Sequence, residues 1–183
     1  MSPRPTYRDW LKQDFGALID ATGLDDLHKH FVRSRWLDQV LWMEGRADHA
    51  RNWYYILRLT AIIGGIIIPA LVSLNASGAG AVWLRWGVFG LSLSVAISGA
   101  VEGFLRYGER WRHYRRIVEL LKIEGWQFFQ LSGPYSHRET HAGAYHKFAA
   151  RVEEIIQQDV QVYISQVVRE KEEIQKGEDD GQI

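Results

Sequence analysis

Two kinds of hydrophobic pattern run along this chain. From Leu59 to Leu84 no residue is charged, and after Arg85 a second uncharged stretch runs from Trp86 to Val101. The run Ala61-Ile-Ile-Gly-Gly-Ile-Ile-Ile-Pro-Ala-Leu71 lacks the polar face that a surface helix of a soluble domain carries. A bilayer core of ~30 Å takes ~20 helical residues to cross. The pattern therefore predicts two spans, about 53–74 and 82–105, joined by a turn in Asn75-Ala-Ser-Gly-Ala-Gly-Ala81, where Asn and Gly break helices.

The second pattern is a 4–3 repeat. Trp36, Val40, Met43, Ala47, Ala50, Tyr54, Leu57, Ala61, Gly64, Ile68 and Leu71 follow it without a break. So do Trp86, Gly90, Leu93, Ile97, Ala100, Phe104, Tyr107, Trp111, Tyr114, Val118, Leu121, Gly125 and Phe128. Such spacing predicts a left-handed coiled-coil seam. Asp25 or Asp26 is the N-cap of the first long helix, and Ser132-Gly-Pro-Tyr135 stops the second. With the turn centred near residue 78, Gly45 faces Trp111, Phe31 faces Gly125 and Glu102 faces residue 54, one helical turn from Arg58. The predicted fold is all-α. It is an integral membrane helical hairpin with long cytoplasmic coiled-coil-like extensions, 25–52 and 106–131, and an additional C-terminal cytoplasmic helix, 138–168. One domain covers 1–168. The tail 169–183 is charged and poor in apolar residues, which predicts disorder. Tyr7–Ile19 forms a short amphipathic helix through Trp10, Leu11, Phe15 and Leu18.

Charge sets the expected orientation. Nine Lys and Arg residues flank the spans on one side: Arg46, Arg51 and Arg58, and the six from Arg106 to Lys122. Only Arg85 lies on the turn side. The positive-inside rule then puts both termini in the cytoplasm of a cell inner (plasma) membrane. No signal peptide is read before the first span, which directs insertion itself. Aromatics fall at the expected interfaces: Trp53, Tyr54, Tyr55 and Tyr107 inside, Trp83 and Trp86 outside.

Overall charge is balanced, 22 basic against 22 acidic residues, so nothing favours phosphate-backbone binding and no nucleic-acid partner is expected. The absence of cysteine excludes disulfides, thiolate metal sites and cysteine nucleophiles. His137 and His141 share a helix face, but no Glu follows His137 in the metalloprotease pattern. His28 and His30 point to different sides. No catalytic residue, metal site or cofactor is expected, and the chain is read as not an enzyme.

Certain residues resemble a known family. They are Trp36-Leu-Asp-Gln-Val-Leu-Trp42, Ile68-Pro-Ala-Leu-Val-Ser-Leu74, Ala100-Val-Glu-Gly-Phe104 with Trp111-Arg-His-Tyr-Arg115, and Glu124-Gly-Trp-Gln-Phe-Phe129 with Gly133-Pro-Tyr135. Together they look like the SLATT-type two-transmembrane proteins, which include a large bacterial group classed as a domain of unknown function. The resemblance covers about residues 30–168. It implies a two-span helical protein with cytoplasmic ends. Some members are proposed to form pores as effectors in nucleotide-signalled conflict systems. The motifs are packing and interface positions, so no functional residue is carried over.

The second span holds the candidate chemistry. Ser94, Ser98 and Glu102 recur every four residues, about 100° around the helix from Leu93 and Ile97. They are candidates to line an oligomeric pore, and a ring of Glu102 would favour cations. A plain packing face is the competing reading, since small residues let helices approach closely in lipid. Arg58 and Glu102 are candidates for an intramembrane ion pair. The wide apolar stripe of the C-terminal helix makes Ile156 and Val160 candidate interface residues of a homo-oligomer. The leading expectation is an oligomeric membrane channel or pore. The alternative is a non-conducting membrane-anchored scaffold whose cytoplasmic helices recruit a soluble protein partner.

Overall fold

A computed structural model describes residues 6–74 and 79–179, and the side chains of residues 6–74 and 80–160. Among these residues all regular structure is helical. Helix α1 (Tyr7–Ala21) opens on a capping box: the Asp9 amide donates to Thr6 Oγ at 3.3 Å, and the Thr6 amide to Asp9 Oδ2 at 2.9 Å. These bonds satisfy two of the donors that a helix start leaves unpaired. Its apolar residues Leu11, Phe15 and Ile19 are four apart and all buried. Helix α2 (Asp26–Phe31) starts on Asp25, whose carboxylate accepts the His28 amide at 2.8 Å. A π-helical turn, Val32–Leu37, leads into α3 (Asp38–Ser73). Helices α4 (Ala79–Leu105), α5 (Tyr107–Phe129) and α6 (His141–Asp179) follow, with a 3-10 turn at Gly133–Tyr135 between the last two. Residues 75–78 of the expected turn lie outside the described residues.

Helix α5 ends where Leu131 and Gly133 take positive φ, 47° and 56°, close to the expected stop. Helix α6 continues past Val168 to Asp179, where the sequence pattern places a disordered tail. The segment Arg169-Glu-Lys-Glu-Glu-Ile-Gln-Lys176 consists almost wholly of strong helix formers, with Glu172 and Lys176 at the favourable i, i+4 spacing. Few apolar residues limit what a helix can bury, but they do not stop it forming. Residues 180–183 lie outside the described set.

The chain divides into two compact units, one of Met1–Met43 with Arg116–Ile183, the other Glu44–Arg115. The first unit packs around Trp36, which is fully buried. Its indole N–H donates to the Leu121 carbonyl oxygen at 2.8 Å. Phe15 meets it edge-on at 5.0 Å, Phe129 at 5.6 Å and Phe148 at 6.0 Å. Its ring lies on Gly125, where even a methyl group would overlap it. The expectation of Phe31 on Gly125 is thus corrected by more than a turn. The facing is already displaced nearer the hairpin turn, where Gly64 meets Val95 and Gly108 meets Tyr54, so a register centred on residue 78 is offset along the pair.

The apolar stripe of α6 is buried inside this unit as far as Ile156. Tyr145, Phe148, Val152 and Ile156 are buried, and Phe148 stacks on Phe128 at 4.3 Å. Ile156 is therefore covered by its own chain, whereas Val160 is half exposed. Tyr163 and Val167 lie beyond the described side chains.

In the second unit, α3 keeps the expected seam. Ala47, Ala50, Leu57 and Gly64 are buried, and Tyr54, Ala61, Ile68 and Leu71 are partly covered. Helix α4 does not. Trp86, Leu93, Ile97 and Phe104, expected in the seam, are exposed by 68, 49, 53 and 86%. The covered row is Ala81, Leu84, Val88, Leu91, Val95, Ser98, Glu102 and Leu105, itself a 3–4 repeat. A methyl group on Gly64 would collide with Val95 and touch Leu91, which fixes the facing pair. Trp111 stacks against Tyr54 at 6.2 Å and lies 5.9 Å from Tyr55, in place of the expected Gly45.

The cause of the phase error is Arg106. It adopts a left-handed conformation, φ 47°, and ends α4. Its amide donates to the Glu102 carbonyl at 2.9 Å, while its own carbonyl accepts the Glu109 and Arg110 amides at 3.1 Å and so opens α5. A repeat counted through 106 as one helix is correct on α5 and rotated on α4.

Candidate functional site

Two polar constellations stand out, one in each unit. In the first, Glu124 is 3% exposed on α5. Arg151 of α6 binds it through a fork, Nε to Oε1 at 2.6 Å and Nη2 to Oε2 at 2.9 Å. The Tyr135 hydroxyl donates to the same carboxylate. A buried carboxylate is tolerable only with such pairing. Burial and the adjacent carboxylate push the Tyr135 phenol far above its ordinary range, so it stays a donor. The bond to Glu124 likewise holds Arg151 charged. The cluster is closed by its own partners and has structural work to do, joining α5, the 3-10 turn and α6. His141 adds to this joint: its Nε2 lies 3.1 Å from the Phe129 carbonyl oxygen at the end of α5.

The second constellation is open. Around the break at Arg106 lies a cavity of about 300 Å³. It is lined by Tyr54 and Arg58 of α3, Glu102 and Gly103 of the last α4 turn, Arg106, and Gly108, Glu109 and Arg112 of α5. Gly108 is required here, because a Cβ would come within 2.9 Å of the Tyr54 ring. Arg106 and Glu109 pair at 3.8 Å with both side chains well exposed, so that contact is worth little. Aromatic side chains surround this level: Trp53 stacks on Tyr107 at 6.2 Å, as Tyr54 does on Trp111.

The pore-lining candidates separate. Ser94 is exposed, Ser98 is buried in the seam, and Glu102 is half buried beside the cavity. The structure therefore does not bring the three onto one outward face. Ser94 and Ser92 hydroxyls donate to carbonyls of their own helix, Gly90 at 2.9 Å and Val88 at 2.8 Å. Arg58 and Glu102 share the cavity, but no ion pair within 4.0 Å joins them among the described residues. Among the described residues no group of three His, Asp or Glu side chains is arranged to hold a metal.

The model of one protein family matches residues 38–143, more than half of the chain; its description is "Protein of unknown function (DUF4231)". The chain belongs to this DUF4231 family. The matched segment covers α3, α4 and α5 and reaches the start of α6, so it contains both the paired apolar helices and the cavity. No curated protein and no solved structure matches the chain. The DUF4231 description assigns no activity, so the site must be read from its own residues.

Sequence reasoning named Tyr54, Arg58 and Glu102 but missed Arg106, Gly108 and Arg112 as their companions. The available signal was the glycine pair at 103 and 108 around an arginine, since glycines inside a helical pattern mark weak points. The Glu124 cluster left no comparable trace, because Arg151 and Tyr135 come from separate elements.

Proposed function

We propose that the chain is a two-span integral membrane protein with both termini cytoplasmic, as its resemblance to SLATT-type proteins implies. The supporting observation is the outward surface of α3 and α4. Both helices are long and apolar enough to cross a bilayer, and only 11% and 6% of their most apolar windows are buried. The core helix of a soluble protein is mostly covered. Ile62, Ile63, Ile66, Phe89, Leu93 and Ile97 instead point outward on two helices, an exposure that lipid removes from water. The hydroxyls of Thr60, Ser73, Ser92 and Ser94 are spent on their own helix carbonyls, so each tolerates lipid contact.

Within that reading the geometry favours a membrane-anchored interaction module. The outward faces of α3 and α4 are apolar, and Ser98 and Glu102 turn away from them. The first unit carries an exposed aromatic surface, with Tyr7 stacked on Trp10 at 5.9 Å, Lys122 5.5 Å from the Tyr7 ring, and Ile123 and Trp126 open nearby on α5. Such a patch is what a cytoplasmic protein partner binds.

A second reading, an oligomeric cation pore, is favoured by one observation. Gly87, Gly90, Gly99 and Gly103 of α4 have open space where a side chain would be, and such faces let spans of neighbouring copies approach closely. Ion flux through liposomes holding the purified full chain separates the two. The anchored module gives no flux, and a cysteine at Ser94 resists a charged thiol reagent. A pore gives flux, and labelling at Ser94 blocks it.

A further inference from the structure

We propose that the cavity at the α4–α5 break binds the phosphate of an anionic phospholipid headgroup. The proposal rests on the membrane reading above, which supplies the source of the phosphate. Three guanidinium groups, Arg58, Arg106 and Arg112, line one cavity against two carboxylates, Glu102 and Glu109, leaving a net positive site. Arg58 and Arg112 form no ion pair among the described residues, although Glu102 lines the same space. Cations that could neutralise each other's neighbours but do not are poised for an external anion. Guanidinium forks match phosphate oxygens in pairs.

The place fits the ligand. The cavity lies where the uncharged sequence of α4 ends, and Trp53, Tyr54, Tyr107 and Trp111 gather at that level. Tyrosine and tryptophan concentrate at headgroup depth. Basic pockets at the cytoplasmic ends of spans take anionic headgroups for the same reason. Arg106 itself sits in a sparsely populated backbone conformation, which is often retained where a ligand contact repays it. Gly103 leaves open space at the cavity, and Gly108 makes room for the Tyr54 ring that walls it.

The test uses the purified full chain in mild detergent, with mixed phosphatidylglycerol and phosphatidylcholine, read by native mass spectrometry. Phosphatidylglycerol is expected to be retained in preference to phosphatidylcholine. Arg58→Gln with Arg112→Gln should weaken that retention roughly 30-fold, the effect of two headgroup cations. Arg110→Gln with Arg116→Gln removes the same charge outside the cavity and should leave most of it. Equal retention of both lipids, or equal loss in the two double variants, overturns the proposal. A second arm titrates inorganic phosphate into lipid-free protein. Saturation at low millimolar phosphate that competes with phosphatidylglycerol and is lost in the Arg58/Arg112 variant supports the site chemistry. Saturation without any lipid retention overturns the lipid source. Carbonate extraction of the protein from cell membranes reports on the membrane reading separately: release into the soluble fraction sinks that reading and the lipid assignment together, while the phosphate arm still reads the cavity.

Discussion

Gly125→Ala offers a direct test of the Trp36 core. A methyl group at 125 would meet three indole atoms, and the ring has no room to yield, being fully buried and tethered to the Leu121 carbonyl. Overpacking of this kind costs about 1–3 kcal/mol. If the ring tilts to escape, its hydrogen bond adds about 1 kcal/mol. The gain in helix propensity from Gly to Ala returns about 1 kcal/mol. The net is destabilisation of about 1–3 kcal/mol. Gly16 of α1 is the control, because nothing lies within 4 Å of its absent Cβ. There Ala keeps the propensity gain alone, so Gly16→Ala should stabilise by up to about 1 kcal/mol. For a chain of this size the two melting midpoints should differ by roughly 5–15 °C. Thermal unfolding of the solubilised full chain, followed by near-ultraviolet circular dichroism of the tryptophans, measures it. Adding Trp36→Phe to Gly125→Ala should cost less than the two changes separately, since the smaller ring makes room. Equal midpoints for Gly16→Ala and Gly125→Ala, or strict additivity in the double variant, would refute this packing.

Four further outcomes are expected. Arg151→Met strands the Glu124 carboxylate at 3% exposure and should cost about 3 kcal/mol in urea unfolding, most of it recovered by adding Glu124→Gln; an unaffected single variant would contradict the buried fork. Arg35 holds the Glu153 carboxyl below its ordinary range, and Thr6 does so for Asp9, so the stability these acids lend is present above their unfolded values and drains away as pH falls below about 4.5 through the folded ones, with a shallower acid slope in Arg35→Gln. At the alkaline end the raised Tyr135 phenol keeps its proton while the unfolded one ionises, so stability falls above about pH 10 in the parent and less so in Tyr135→Phe. Gly64→Leu should destabilise the paired apolar helices, because Val95 occupies the space, while Gly65→Leu, facing open space, should not; matching melting curves would overturn the facing of α3 and α4.

The elements themselves were readable because their signals are local. Asp25 caps α2, the apolar stretches mark α3 and α4, and Gly133-Pro-Tyr135 ends α5. Every member of the α3 seam from Val40 to Leu71 is covered to some degree, since one α-helix from Asp38 to Ser73 carries a single phase. Partners across space were less legible. The Glu124–Arg151–Tyr135 cluster depends on how three elements meet, and no spacing encodes that. Ile156 read as an unpartnered apolar residue only because α5 and Trp36 had not yet been placed against α6.

The one place where the repeat misleads is also the place with open chemistry. A heptad rewards the same apolar residues whether or not the helix is continuous, so Leu93, Ile97 and Phe104 satisfy the count as well as Leu91, Val95 and Ser98 do. Only a backbone break decides between them, and Arg106 supplies it with a residue that does not advertise a left-handed turn. A helix continuous through 106 would carry the phase of α5 onto the Leu93 row. The break turns that row outward and opens a cavity walled by arginines. Local rules and the global fold disagree here, and such disagreements concentrate where structure has been traded for function. Gly103→Ala should then weaken phosphatidylglycerol retention with the melting midpoint unchanged, while Gly108→Ala should lower the midpoint; equal midpoints in the two variants would refute this cavity wall. Gly103 has room for a methyl group, whereas Gly108 has Tyr54 against it.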